Sequence, residues 1–207
     1  MKRKRLQSYF FFPYYPMPLK TIVKVSHISN LSDARYCAGM GVEMLGFRVI
    51  PGAEHYLPAG VFQDIRGWIS GPKIIAELYG LSSPDQIATA VQTYAPDYFE
   101  LTFAEYSTFR NVLSLPCIVY LDVTADMDSV ANDSQVSYLL VGEETSCADI
   151  SIADIPVLIK ITALNNLNEK LGEGCFKGFV LEGSKELRPG VTNYDQLGAI
   201  LESLEVD

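Results

Sequence analysis

Several signals that would point directly to a function are missing from this sequence. Its four cysteines, Cys37, Cys117, Cys147 and Cys175, stand far apart with no CxxC spacing. Neither a zinc site nor a disulfide framework is indicated, and they read as small apolar core residues in a reducing, cytoplasmic setting. Only 2 histidines occur, His27 and His55. A metal centre would therefore rest largely on carboxylates, for which no ligand spacing is present, so neither metal nor cofactor is expected. No stretch reaches the roughly 18 apolar residues of a membrane-spanning helix. Basic residues are also scarce, 16 against 25 acids for a net charge of −9. That balance argues against nucleic acid or anionic membrane as partners, and it disfavours anionic substrates unless a local basic pocket exists.

What is present is a globular composition: 207 residues, 48% apolar and 20% charged, enough for one substantial core. The first 18 residues differ from the rest. They open with Lys2-Arg3-Lys4-Arg5 and continue into an aromatic run broken by Pro13, Pro16 and Pro18. Lacking a long apolar core and a small-residue cleavage site, this stretch reads as a flexible extension rather than a signal peptide, with Met17 as an alternative start. Residues 19–207 are expected to form a single domain.

The organising unit is the stretch from Lys20 to Phe47. Thr21 to Val25 is an apolar, β-branched run typical of a strand buried on both faces. Ser29, Asn30 or Ser32 can then cap a helix carrying Leu31, Ala34, Cys37 and Ala38 at helical spacing, which stops at Gly39 and Gly41. Met44 to Phe47 forms a second strand, completing a right-handed βαβ unit. The pattern repeats. Strands are predicted at Lys73–Leu78, Asp97–Leu101, Cys117–Leu121, Val136–Val141, Ile155–Ile159 and Phe176–Leu181. Helices are predicted through Gln63–Ile69, from Pro84, around Phe109–Leu113, marginally within Thr124–Ser134, and over Tyr194–Leu204. Eight such runs indicate an α/β fold closed as a (β/α)8 TIM barrel. A doubly wound open sheet is the alternative, but it more often shows a glycine fingerprint after the first strand, where this chain has Ser26-His27-Ile28.

Function in a barrel sits at the C-terminal ends of the strands. Those positions hold Ser26, His27, Arg48, Glu77, Glu100, Asp122, Glu143, Glu144, Lys160, Thr162, Glu182 and Ser184. Lys24 shares a strand face with Ser26 and is expected to pair with Glu100 or Glu182, because a buried lysine without a partner would lose its proton. Ser26 and His27 are adjacent on a strand and point to opposite faces, so the imidazole is poorly placed to activate the hydroxyl.

The sequence resembles the phosphoribosylanthranilate isomerases, single-domain barrels of tryptophan biosynthesis. The resemblance is carried by Lys24-Val25-Ser26-His27-Ile28-Ser29, where that family has a Lys-Ile-Cys-Gly-Ile-Thr type motif. It continues in Asp33-Ala34, Leu45-Gly46-Phe47 and Pro189-Gly190-Val191-Thr192-Asn193. It implies an Amadori rearrangement of a phosphorylated substrate, an aldose–ketose isomerisation needing a base and an acid. It also places the family's catalytic cysteine on Ser26 and its catalytic aspartate on Val141 or Gly142. The family's substrate-contacting arginine falls at His55-Tyr56, its Gln-Leu-His-Gly motif at Glu100-Leu101-Thr102-Phe103, and its phosphate-binding segment on Val180 and Gly183.

Candidate catalytic residues are accordingly Ser26, Asp122 and Glu143. Candidate substrate-binding residues are Lys24, His27, Arg48, Lys160, Glu182, Gly183 and Ser184. Two readings follow. A working isomerase, acting as a monomer or homodimer, requires a basic, glycine-lined phosphate pocket near the ends of strands seven and eight. A barrel that kept the frame and lost the reaction, serving to bind a small molecule or a protein, requires a mouth filled by side chains, with its acids paired to Lys24, Lys160 or Arg48.

Overall fold

The computed structural model of the chain describes residues 19–122, 126–150, 154–183, 186–188, 191–192 and 194–206. The extension at residues 1–18 and the candidate Ser184 lie outside them. Strands β1 (Ile22–Ser26), β2 (Met44–Arg48), β3 (Lys73–Glu77) and β4 (Tyr98–Thr102) are followed by helices α1 (Leu31–Gly39), α2 (Ala59–Arg66), α3 (Pro84–Tyr94) and α4 (Phe103–Phe109). Then come β5 (Cys117–Leu121), α5 (Met127–Val130), β6 (Val136–Val141), β7 (Val157–Lys160), α6 (Leu164–Glu173) and β8 (Gly178–Glu182). A short antiparallel pair, β9 (Glu186–Arg188) and β10 (Val191–Thr192), precedes the closing α7 (Asp195–Ser203).

β1 to β8 form one closed barrel in chain order. All neighbours are parallel, and β1 closes on β8 with Ile22 opposite Gly178 and Ser26 opposite Glu182. The open-sheet alternative is thereby excluded, and the strand positions agree with the sequence reading to within a few residues.

Alternation along each strand divides the apolar residues into two cores. Val23, Val25, Leu45, Phe47, Ile74, Phe99 and Val119 face outward against the helices. Met44, Ile75, Ile118, Leu140, Leu158 and Val180 fill the barrel, with Ile22, Tyr98, Tyr120 and Tyr138 packed against them.

Local chemistry fixes the helix starts. Asn30 is the cap of α1, accepting a hydrogen bond from the Asp33 amide at 2.9 Å. At α4 the Thr102 hydroxyl accepts from the Glu105 amide (3.2 Å) while the Glu105 carboxylate accepts from the Thr102 amide (2.9 Å), a reciprocal capping box. The other oxygen of Glu105 takes the amides of Gly80 and Leu81, tying the β3–α3 loop to the head of α4.

The helical layer thins on one side. α5 spans only Met127–Val130, and the described part of the β6–β7 connection holds one 3-10 turn at Cys147–Asp149. Here the reading of the cysteines needs correction. Cys37 and Cys117 are buried as expected, but Cys147 and Cys175 form a disulfide joining the β6–β7 connection to the turn after α6. No described helix is long and apolar enough to cross a membrane.

Candidate functional site at the barrel mouth

The interior face of β1 carries Ile22, Lys24 and Ser26 in succession, so the Lys24 side chain must run inside the barrel. It is fully buried. The Lys24 Cα is in register with Met44, and the side chain climbs toward the C-terminal end past Gly46, next inward on β2. Its ammonium ends 2.7 Å from Glu77 Oε1 and 2.8 Å from Glu100 Oε2, and it donates to Ser26 Oγ. Gly46 is glycine for a spatial reason: a Cβ there would lie 2.8 Å from Lys24 Nζ and closer still to the Glu77 carboxylate.

Both acids meet further groups nearer the mouth, although Glu77 Oε2 and Arg48 Nε approach each other as an ion pair without a hydrogen bond. Tyr79 donates its hydroxyl to Glu100 Oε1 at 2.7 Å. Arg48 Nε lies 3.3 Å from Glu77 Oε2, its guanidinium stacks 4.3 Å above the Tyr79 ring, and Nη2 donates to His27 Nε2 at 2.9 Å. The cluster holds two cations and two anions.

At an effective dielectric of about 20, unit charges this close attract by roughly 6 kcal/mol. That is enough to offset a desolvation penalty of several kcal/mol per ion. Burial by itself pushes the Lys24 ammonium down, but Glu100 and Glu77 outweigh it and its pKa is raised above 10.5. Burial likewise pushes the Glu77 carboxyl up, and Lys24, His27 and Arg48 reverse this to hold it below 4.5. Lys24 therefore stays protonated. A Schiff-base role for it has no support, because that chemistry needs the neutral amine.

The expected pairing of Lys24 with Glu100 is found. The alternative, Glu182, is not its partner: Glu182 stands opposite Ser26, while Lys24 stands opposite Val180, and the Glu182 side chain is exposed at the rim.

Both histidines occupy left-handed backbone, with φ of 60° at His27 and 62° at His55, and their rings stack with centroids 5.2 Å apart. The turn of the chain at His27 breaks the strand alternation. His27 thus faces Arg48 and Glu77 at the mouth rather than the helical layer, although its ring still makes no bond to Ser26 Oγ.

Burial lowers the His27 pKa below 6.5, with Arg48 and Lys24 adding to burial and Glu77 opposing it. The unfolded chain consequently takes up this proton first as pH falls through 6.5, so the contribution of His27 is complete above 6.5 and declines below it. We expect denaturant-measured stability to fall as pH drops below 6.5. The slope should be flatter in His27→Asn, whose side chain tolerates the same backbone. Equal slopes in the two proteins would rule out His27 as the titrating group.

The other candidates are dispersed around the rim. Asp122, Glu144 and Glu182 are exposed. Lys160 lies 4.9 Å over the Tyr120 ring, and Tyr120 meets Tyr79 edge-on at 6.5 Å. Glu143 accepts from the Thr162 amide (2.9 Å), the Thr162 hydroxyl (2.6 Å) and Asn166 Nδ2 (2.8 Å). Burial raises its carboxyl, but these bonds together with Lys170 hold it below 4.5.

The Gly183 amide donates to the Ser26 carbonyl at 2.8 Å. Two backbone donors near the ends of β7 and β8 are therefore occupied by the protein itself. Sequence reasoning placed Glu77 and Glu100 among the strand-end acids without assigning them to the site, named Gly46 only within the family motif, and passed over Tyr79. The spacing of Glu77 from the inward Ile75 was the available signal.

The sequence matches no family model and no curated protein. Its fold is similar to that of solved phosphoribosylanthranilate isomerases. The structure from Thermus thermophilus superposes with a TM-score of 0.74 at 19% identity, covering 88% of this chain and 98% of that one. The structure from Thermotoga maritima gives 0.68 at 15%, covering 89% and 98%. The structure from Pyrococcus furiosus gives 0.69 at 12%, covering 88% and 97%. In architecture, over nearly the full length of those enzymes, this chain is a (β/α)8 barrel similar to theirs.

Proposed function

We propose that this barrel retains the isomerase frame without the isomerase reaction, and that its mouth binds a small neutral or cationic molecule. The observation that carries this reading is the bond from the Lys24 ammonium to Ser26 Oγ. That ammonium stays protonated and cannot take the hydroxyl proton, and among the described residues no other base is bonded to Ser26 Oγ. The acid is equally unsupported. Glu143 is held ionised by Thr162 and Asn166, and Asp122 lies exposed.

Recognition of a phosphorylated substrate would need free backbone donors and positive charge. The Thr162 amide serves Glu143, the Gly183 amide serves the Ser26 carbonyl, and Arg48 serves Glu77 and His27. Exposed Asp122, Glu144 and Glu182 make the rim acidic, which repels phosphate and favours a neutral or cationic ligand. The alternative is a working isomerase with a rearranged site. In either case we take the chain to act in the cytoplasm, as a monomer or homodimer.

Turnover of freshly generated phosphoribosylanthranilate, followed by loss of its fluorescence, separates the two. Wild type, Ser26→Ala and Ser26→Cys should all remain at background, and a phosphorylated substrate analogue should give no thermal shift. Wild-type turnover that falls in Ser26→Ala would overturn the proposal and make Ser26 part of a working site. Turnover appearing only in Ser26→Cys would show that the substrate pocket survives, against the acidic-rim argument.

A further inference from the structure

The disulfide lies away from the mouth, in the part of the barrel where the helical layer is thinnest. Cys147 opens the 3-10 turn of the β6–β7 connection, and Cys175 follows α6 directly after Gly174, which turns the chain with φ of 71°. Both cysteines are half-buried and reachable from solvent. Beside the sulfurs, side chains of α6 hold the connection. The Cys147 amide donates to Glu173 Oε2 at 3.1 Å, and Lys170 Nζ donates to Glu173 Oε1 at 2.9 Å and to the Thr145 carbonyl at 2.8 Å.

Behind the two sulfurs is a cavity of about 490 Å³ at the N-terminal end of the barrel, lined by Ile22, Tyr138, Ile150, Pro156 and Lys177. Cys37 and Cys117 are sealed in the core, and burial pushes both thiols up, Cys117 to about 12, so neither competes in thiol chemistry. The ladders β6–β7 and β7–β8 are closed by main-chain pairing that does not involve either sulfur.

We propose that Cys147–Cys175 is a thiol–disulfide exchange site whose reduction by a dithiol frees the β6–β7 connection while the barrel stays closed. A thiolate of the dithiol attacks one sulfur, the protein S–S bond breaks, and the other cysteine leaves as a thiolate. The second thiol of the reductant then attacks the mixed disulfide and releases the remaining cysteine. The dithiol ends as a cyclic disulfide, two electrons pass to the protein, and the two cysteines end as thiols. Both sulfurs stand outside the ladders that close the barrel, so breaking their bond leaves that closure intact. The inference does not depend on the reading of the mouth.

The test is amide hydrogen exchange on the full chain with and without dithiothreitol, alongside thiol titration under native conditions. Two thiols should become reactive, amides in 142–150 should exchange about tenfold faster or more, and amides of β1–β4 should keep their protection. The Cys147→Ser/Cys175→Ser variant should show the reduced pattern without reductant. Resistance of the bond to native reduction, reduction without faster exchange at 142–150, or loss of protection across the whole barrel would each overturn the proposal. The last outcome would mark the bond as a plain structural staple. These readings come from the wild-type chain, so they stand even where the double variant fails to fold.

Discussion

Lys24→Met is expected to destabilise the protein by about 3–5 kcal/mol, the range seen when one partner of a buried ion pair is removed. For a domain of this size that lowers the thermal midpoint by roughly 6–20 °C. Methionine fills the space of the lysine stem, so the loss comes from charge rather than from a cavity. Glu77 and Glu100 remain buried side by side without the ammonium that sat 2.7 and 2.8 Å away.

The dependence on pH should change sign. In the wild type the lowered Glu77 pKa contributes stability that is present above 4.5 and lost as pH falls through the folded value. The raised Lys24 pKa contributes stability that is present below 10.5 and lost as pH rises through its folded value. In Lys24→Met, one of the two facing carboxyls binds a proton more readily than in the unfolded chain, so stability should rise as pH drops from neutrality toward 4.5. Adding Glu100→Gln should recover part of the loss, since one uncompensated charge is removed and the amide oxygen can still accept from Tyr79. Urea titrations across pH measure this. A wild-type-like slope in Lys24→Met would disprove the account of the cluster.

The second large effect is steric. Gly46→Ala places a methyl group 2.8 Å from both Lys24 Nζ and Glu77 Cδ, and closer to Glu77 Oε1. The backbone has little freedom to yield, because Gly46 is opposite Ile75 in the β2–β3 ladder and its carbonyl accepts from the Ile28 amide at 2.9 Å. Something charged must move, and the cost is expected to be about 2–4 kcal/mol, combining overpacking with a stretched ion pair. The two substitutions share one space, so they should not add. In the Lys24→Met background the flexible thioether can give way, and the added cost of Gly46→Ala should fall by about 1 kcal/mol or more. Additive losses would mean that the glycine is required for another reason.

Much of the frame follows from local chemistry. Alternation of apolar residues along the strands marks which of them face inward, and Asn30 and Pro84 mark helix starts from their side-chain and backbone chemistry alone. Alternation also places Lys24, Glu77 and Glu100 inside the barrel and requires the lysine to have an acidic partner. It does not say which acid. Glu182 and Glu100 both end strands, yet the stagger of the closed sheet puts Glu182 beside Ser26 at the rim and brings Glu77 and Glu100 to the tip of Lys24.

The disulfide escaped for a similar reason. Cys147 and Cys175 are 28 residues apart, and only the return of the chain through β7 and α6 brings their Cα atoms to 5.9 Å. His27 departs from the strand alternation because its backbone turns left-handed, a conformation no residue pattern here announced. Residue patterning alone was enough to specify a barrel with a buried lysine. Which groups neutralise that lysine, and which protein atoms occupy the donors at the mouth, was decided by barrel closure, because both depend on distances between strands far apart in the chain.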